Sequence, residues 1–164
     1  MKFQPKIYLE TTVFNYYFLR DPTRQVNIDA TRKLFKEIKA KRWHAFTSAE
    51  VVRELRKSKE PLKSKMFNLI KSSQIFLLTQ KQLKGYLSLT NLYIKRGAIP
   101  KSKRADARHI AIATVSKMDI LVSWNQRHIV RYKTQEIVRK INISSGFKII
   151  SINTPSEVIS YERE

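Results

Sequence analysis

Five short apolar runs, separated by segments of helical periodicity, limit what this chain can fold into. The runs occupy residues 7–9, 43–46, 75–78, 119–123 and 147–152. Each is rich in β-branched or aromatic residues and too short to be a helix. Between them, residues 27–41 carry Ala30, Leu34, Phe35 and Ile38 at helical spacing. Residues 80–96 repeat that pattern and stop at Gly97, residues 105–117 are strongly apolar, and residues 133–145 stop at Gly146. Pro61 suits the first turn of a helix carrying Met66, Phe67, Leu69 and Ile70. Thr47 and Glu50 have capping-box spacing, as do Thr154 and Glu157. Strands that alternate with helices predict a parallel sheet covered on both faces, a three-layer α/β/α sandwich. With 164 residues and no linker or repeat, one domain is expected. Right-handed crossovers place every strand's carboxyl end on one edge, and ligands bind there.

Charge is the second constraint. Lysine and arginine total 33 against 13 acids, a formal net charge of +20. Such a surplus attracts polyanions. A nucleic acid is the first candidate partner, an acidic protein the second and an anionic membrane surface the third; a general solubility device is the bland alternative. The stretch from Pro61 to Ala105 contains no acid. Many of its cations must be solvated helix faces, but Lys101, Lys103 and Arg104 stand directly before Asp106 and are the first candidates for phosphate contact. Phe14, Tyr16, Tyr17 and Phe18 could stack on bases, although such clusters are more often core.

Several chemistries fail on inventory. Without cysteine there is no disulfide and no thiolate site. Three glycines make neither a P-loop nor a dinucleotide fingerprint. No HExxH or GxSxG motif is present. No apolar run nears the roughly 18 residues of a membrane span, and the first ten residues lack a signal-peptide core. A soluble cytoplasmic protein is expected.

Scarce carboxylates are the remaining candidates. Glu10 ends the first strand, Glu54 lies on the helix after the second, and Asp106 opens the helix leading into the fourth. Taken singly, each has an ordinary explanation: a strand-end charge, a solvated helix face, a first-turn acid favoured by the helix dipole. In a sheet ordered 3-2-1-4-5 the three converge on one crevice. Clustered carboxylates repel unless a cation neutralises them, and oxygen ligands select Mg²⁺ or Mn²⁺. Such an ion activates water and stabilises charge on a phosphate. His109, three residues after Asp106, could orient that carboxylate or contact a phosphate, or simply be a part-buried helix histidine. His44 is expected at the surface, and His128 is expected to pack.

At these residues the chain resembles the PIN-domain family, and within it the VapC-like toxin ribonucleases. The resemblance runs through KIYLETTVFNYYF (Lys6 to Phe18), TSAEVVREL (Thr47 to Leu55) and ADARHIAIATVSKMDILVSWNQRHIV (Ala105 to Val130). It implies the 3-2-1-4-5 sheet, a pocket of four carboxylates, Mg²⁺ or Mn²⁺, and RNA as substrate. The family's acids fall on Glu10, usually aspartate, then Glu54 and Asp106; the fourth position, often aspartate, is Asn125. Glu10 and Asp106 would hold the metal. Thr11, Thr12 and Ser48 fall near positions that support the pocket by hydrogen bonding. The resemblance also implies a small antitoxin partner and a homodimer. The alternative, from another class, is a catalytically weak PIN-like RNA-binding module. A DNA-directed nuclease shares the same pocket.

Overall fold

The computed structural model describes residues 3–161. Its centre is a five-stranded sheet: β1 (Lys6–Leu9), β2 (His44–Thr47), β3 (Phe76–Leu77), β4 (Ile120–Val122) and β5 (Ser151–Asn153). All four pairings are parallel and the order is 3-2-1-4-5. This is the α/β sandwich the alternation predicts. Ile7, Tyr8 and Leu9 are fully buried, as strands covered on both faces must be. At one edge, Phe76 and Leu77 are exposed.

Among the described residues, eight helices flank the sheet: α1 (Thr11–Phe18), α2 (Gln25–Lys39), α3 (Ala49–Leu55), α4 (Leu62–Ser72), α5 (Tyr86–Lys95), α6 (Arg104–Val115), α7 (Tyr132–Ser144) and α8 (Pro155–Ile159). Helix α6 is the most deeply placed, with Ala107, Ile110, Ala111, Ile112 and Ala113 all buried. Its alanines let it approach neighbouring elements closely. Tyr93 of α5 ties the helical layer together, its hydroxyl 3.0 Å from Thr114 Oγ1 and 2.6 Å from Asn142 Oδ1. Burial pushes that phenol up to about 12. Among the described residues no helix is long and apolar enough to cross a membrane.

The aromatic stretch after Glu10 forms a helix, α1, which Glu10 itself caps by accepting from Thr12 N. Three local expectations need correcting. The cap of α3 is Ser48, not Thr47. Strand β2 runs through Thr47, whose hydroxyl donates to Leu9 O at 3.2 Å, so the next residue must cap. The helix expected over residues 80–96 starts only at Tyr86, because Gly85 turns the chain with φ of 87°. The fifth strand is shorter and later than its apolar run, covering Ser151–Asn153. By contrast, the Thr154–Glu157 capping box is formed at α8.

Candidate active site

Strands β1, β2 and β4 end side by side; Glu10, Ser48 and Ser123 follow those ends directly, while Asp106 and His109 come from α6, which leads into β4. Leu9 pairs with Val122, so the next residue on each strand, Glu10 and Ser123, is also adjacent. The Glu10 carboxylate is 3% exposed. Its Oε2 accepts three hydrogen bonds: from Thr12 N (3.1 Å), Thr12 Oγ1 (2.5 Å) and Ser123 Oγ (2.8 Å). None of these falls on Oε1. Thr12 Oγ1 in turn accepts from Trp124 N at 2.9 Å, which fixes the loop leaving β4 to the start of α1. Burial pushes the Glu10 carboxyl up, against the opposing pull of His109 and its own hydrogen bonds.

Glu54 and His109 meet from opposite sides of the crevice. His109 is 1% exposed on α6, and its Nε2 lies 2.8 Å from Glu54 Oε1 on α3. Its Nδ1 lies 2.8 Å from the Tyr8 hydroxyl, which also stands 2.7 Å from Ser48 Oγ. A hydrogen-bonded chain therefore runs Ser48–Tyr8–His109–Glu54 through the wall of the site. Burial alone would push the Glu54 carboxyl up, but the hydrogen bond and charge of His109 outweigh it and hold the group low. Burial would likewise lower His109; its bond to Glu54 and the nearby charges of Glu10, Glu54 and Glu50 raise it instead. The Thr11 hydroxyl, which makes no hydrogen bond of good geometry, also helps hold Glu54 down.

One ligand atom each from Glu10, Glu54 and His109 lie within 4.8 Å of one another, a group able to hold a metal ion. Asp106, in the first turn of α6, is half-buried and stands outside that tight group. Burial raises its carboxyl, opposed by the Asn125 side chain and by the charges of His128, His109 and Lys103. Glu10 and Glu54 thus gather with His109 at the carboxyl edge while Asp106 stands apart, and His109, which helical spacing set near Asp106, is buried and hydrogen-bonded to Glu54 instead. Asn125 Oδ1 accepts from His128 N at 3.0 Å, closing the turn after β4.

The basic residues divide. Lys101 and Lys103 are exposed on a 3-10 turn leading into α6, rather than on an open loop. Arg104 is held by a hydrogen bond to Asn91 Oδ1. Of the aromatics, Phe14 is fully buried, and Tyr16 stacks on Trp124 at 5.2 Å between centroids. Tyr17 packs edge-on against Phe18 and Phe35. His44 is half-buried against Phe46 and Phe76, and the expectation of a surface histidine is only partly met.

Three contributors escaped the sequence reading. Tyr8 lies two residues before Glu10, so strand alternation puts both on one face, a signal that was there to use. Ser123 was legible only through the β1–β4 register. Glu50 is a buried clamp, its Oε1 and Oε2 3.1 and 3.0 Å from Arg108 and Arg53 Nη1 atoms. It joins α3 to α6 at the level of Glu54 and His109. No family model matches the chain, and no curated protein matches it.

Proposed function

We propose that this chain is a Mg²⁺- or Mn²⁺-dependent endoribonuclease that hydrolyses RNA phosphodiester bonds at this carboxylate cluster. The observation that carries the reading is the convergence of Glu10, Glu54 and His109 at the carboxyl edge of a parallel sheet. It lies in a chain of net charge +20. The resemblance to PIN-domain ribonucleases at these positions points the same way.

The donor set fits a hard divalent ion. Both His109 nitrogens are engaged, by Tyr8 and by Glu54, which leaves oxygen donors to face the ion. Glu10, through the oxygen its hydrogen bonds leave open, and Asp106 would hold it, with Glu54 beside them. Burial raises both Glu10 and Asp106, and a cation among them would return both to the charged form. When bound, the ion lowers the pKa of water and offsets charge on the phosphate.

The protein's own groups do the rest. Glu54, kept ionised by His109, orients the attacking water and takes its proton. The water oxygen bonds to phosphorus as the P–O3′ bond breaks, and the departing O3′ takes a proton from solvent, leaving a 5′-phosphate and a 3′-hydroxyl. Asn125 steadies the water or the phosphate, and Lys101, Lys103 and Arg104 hold the flanking backbone. If the chain is a toxin of the VapC-like kind, a small antitoxin covers this pocket and the working form is a homodimer. Cleavage of single-stranded RNA with Mg²⁺ or Mn²⁺ should be strong for wild type and lost in Asp106→Asn. Equal cleavage by both removes the assignment.

One observation favours a second reading, a PIN-like RNA-binding module of weak activity. Asn125, where the family often has an acid, adds no charge and spends its Oδ1 on a backbone cap. That reading predicts tight, salt-sensitive RNA binding that needs neither metal nor Asp106, with no cleavage.

A further inference from the structure

Away from the carboxylates, α1 and α2 enclose a groove of about 440 Å³. Tyr17, Asp29, Arg32, Lys33, Lys36 and Lys39 line it, four cations against one acid. The cations recur at three- and four-residue spacing, so they share one face of α2. All four are exposed, and none belongs to an ion pair among the described residues. The single acid is already engaged, Asp29 Oδ1 accepting from Gln25 Nε2 at 2.7 Å.

Arg32 is the organised member. Its Nε donates to Tyr17 O at 3.2 Å, and its guanidinium lies 6.0 Å from the Tyr17 ring centroid. The two contacts anchor the near side of the fork, and no described hydrogen bond uses either Nη. A guanidinium fixed in this way presents a planar pair of donors, which suits a phosphate better than a mobile ammonium does. Helix α1 connects the groove to the candidate active site, since Glu10 caps one end and Tyr17 lies near the other. Seven residues of helix separate them by about 10 Å. Next to Tyr17 in sequence, Tyr16 stacks on Trp124 and carries the Arg24 guanidinium 5.7 Å from its ring centroid.

We infer that the α1–α2 groove is a second anion-binding track, which grips the phosphate backbone of single-stranded RNA a few nucleotides from the bond being cleaved. This rests on the ribonuclease reading and adds where the substrate runs. Arg32 is the specific contact, and Lys33, Lys36 and Lys39 supply the field around it. A substrate too short to reach the groove is cleaved without its help, and a longer one gains affinity from it.

The test compares wild type with Arg32→Gln/Lys33→Gln/Lys36→Gln. A control, Lys59→Gln/Lys81→Gln/Lys84→Gln, removes three exposed cations elsewhere, and thermal melts confirm that both fold. Binding to a 12-nucleotide single-stranded RNA is measured against salt with EDTA present, and Mn²⁺-dependent cleavage is measured on a trinucleotide. The groove variant should bind the long RNA about tenfold more weakly, with a salt slope shallower by about 2, from roughly 0.7 per lost contact. The control should change little, and trinucleotide cleavage should be equal in all three proteins. Equal losses in both variants, no loss in either, or no RNA binding by wild type overturns the track. Binding through the groove by a wild type that cleaves nothing keeps the track and removes the ribonuclease reading.

Discussion

His109 Nε2 sits 2.8 Å from Glu54 Oε1, joining two helices across 55 positions of sequence. The contact is the pivot of the candidate site. It keeps Glu54 ionised, and the other ring nitrogen, at 2.8 Å from Tyr8, fixes the plane in which His109 can lie. A carboxylate held in one orientation beside the buried Glu10 carboxyl can act on a positioned water; a freely rotating one would act far less often.

The pair should leave a signature in the pH dependence of stability. His109 is raised from its ordinary 6.5, so its contribution is fully present below 6.5 and is lost as pH rises through its folded value. Glu54 is lowered from 4.5, so its contribution is present above 4.5 and is lost as pH falls through its folded value. Both hold between about pH 4.5 and 6.5. Urea denaturation of wild type and of Glu54→Gln across pH should differ most inside that window. A constant difference from pH 3 to 9 would contradict the pair.

Replacing Tyr8 with Phe keeps the ring in the core and removes only the hydroxyl. The loss should be about 1–2 kcal/mol in urea denaturation, because the partner groups on Ser48 and His109 are buried. The Tyr93→Phe change removes a comparably buried hydroxyl and should cost about the same. Only Tyr8→Phe should lower kcat, by about tenfold, with KM unchanged, because only it loosens the histidine behind Glu54. Equal kcat for both variants would show that the Tyr8 bond is purely structural.

Glu50 separates architecture from chemistry in another way. It is buried, but its partners Arg53 and Arg108 are 65% and 31% exposed, so solvent screens much of the attraction. Glu50→Gln should therefore cost only about 1 kcal/mol of stability. Cleavage should fall several-fold, as α3 and α6 lose a brace at the height of Glu54 and His109. Full retention of activity would place the brace outside the working geometry.

Much of this was readable from residues alone, and the exceptions share a cause. The alternation of strands and helices, the placement of Glu10 at a strand end and the Thr154 cap follow from local patterns, whereas the strand order came with the family resemblance. The capping error at Thr47 arose because the end of β2 is decided by its pairing with β3, where Thr47 lies opposite Leu77, which local spacing does not report. The His109–Glu54 contact was hidden for the same reason. Helical spacing put His109 beside Asp106, and only the packing of α6 against α3 turns its ring to Glu54. Trp124 illustrates the converse. Its family-like position in Ser-Trp-Asn was plain, but its roles, stacking on Tyr16 and donating to Thr31 Oγ1 at 2.8 Å, are long-range.

The most direct measurement is cleavage of one single-stranded RNA by wild type, Glu10→Gln and Glu54→Gln, with Mn²⁺ and again with EDTA. Wild type should cleave with Mn²⁺ and stop with EDTA, and each variant should fall by at least about a hundredfold with RNA binding preserved, since losing a water-orienting or metal-holding carboxylate removes that much. Cleavage that persists in EDTA, or survives both substitutions, would contradict a metal-dependent ribonuclease centred on Glu10, Glu54 and His109.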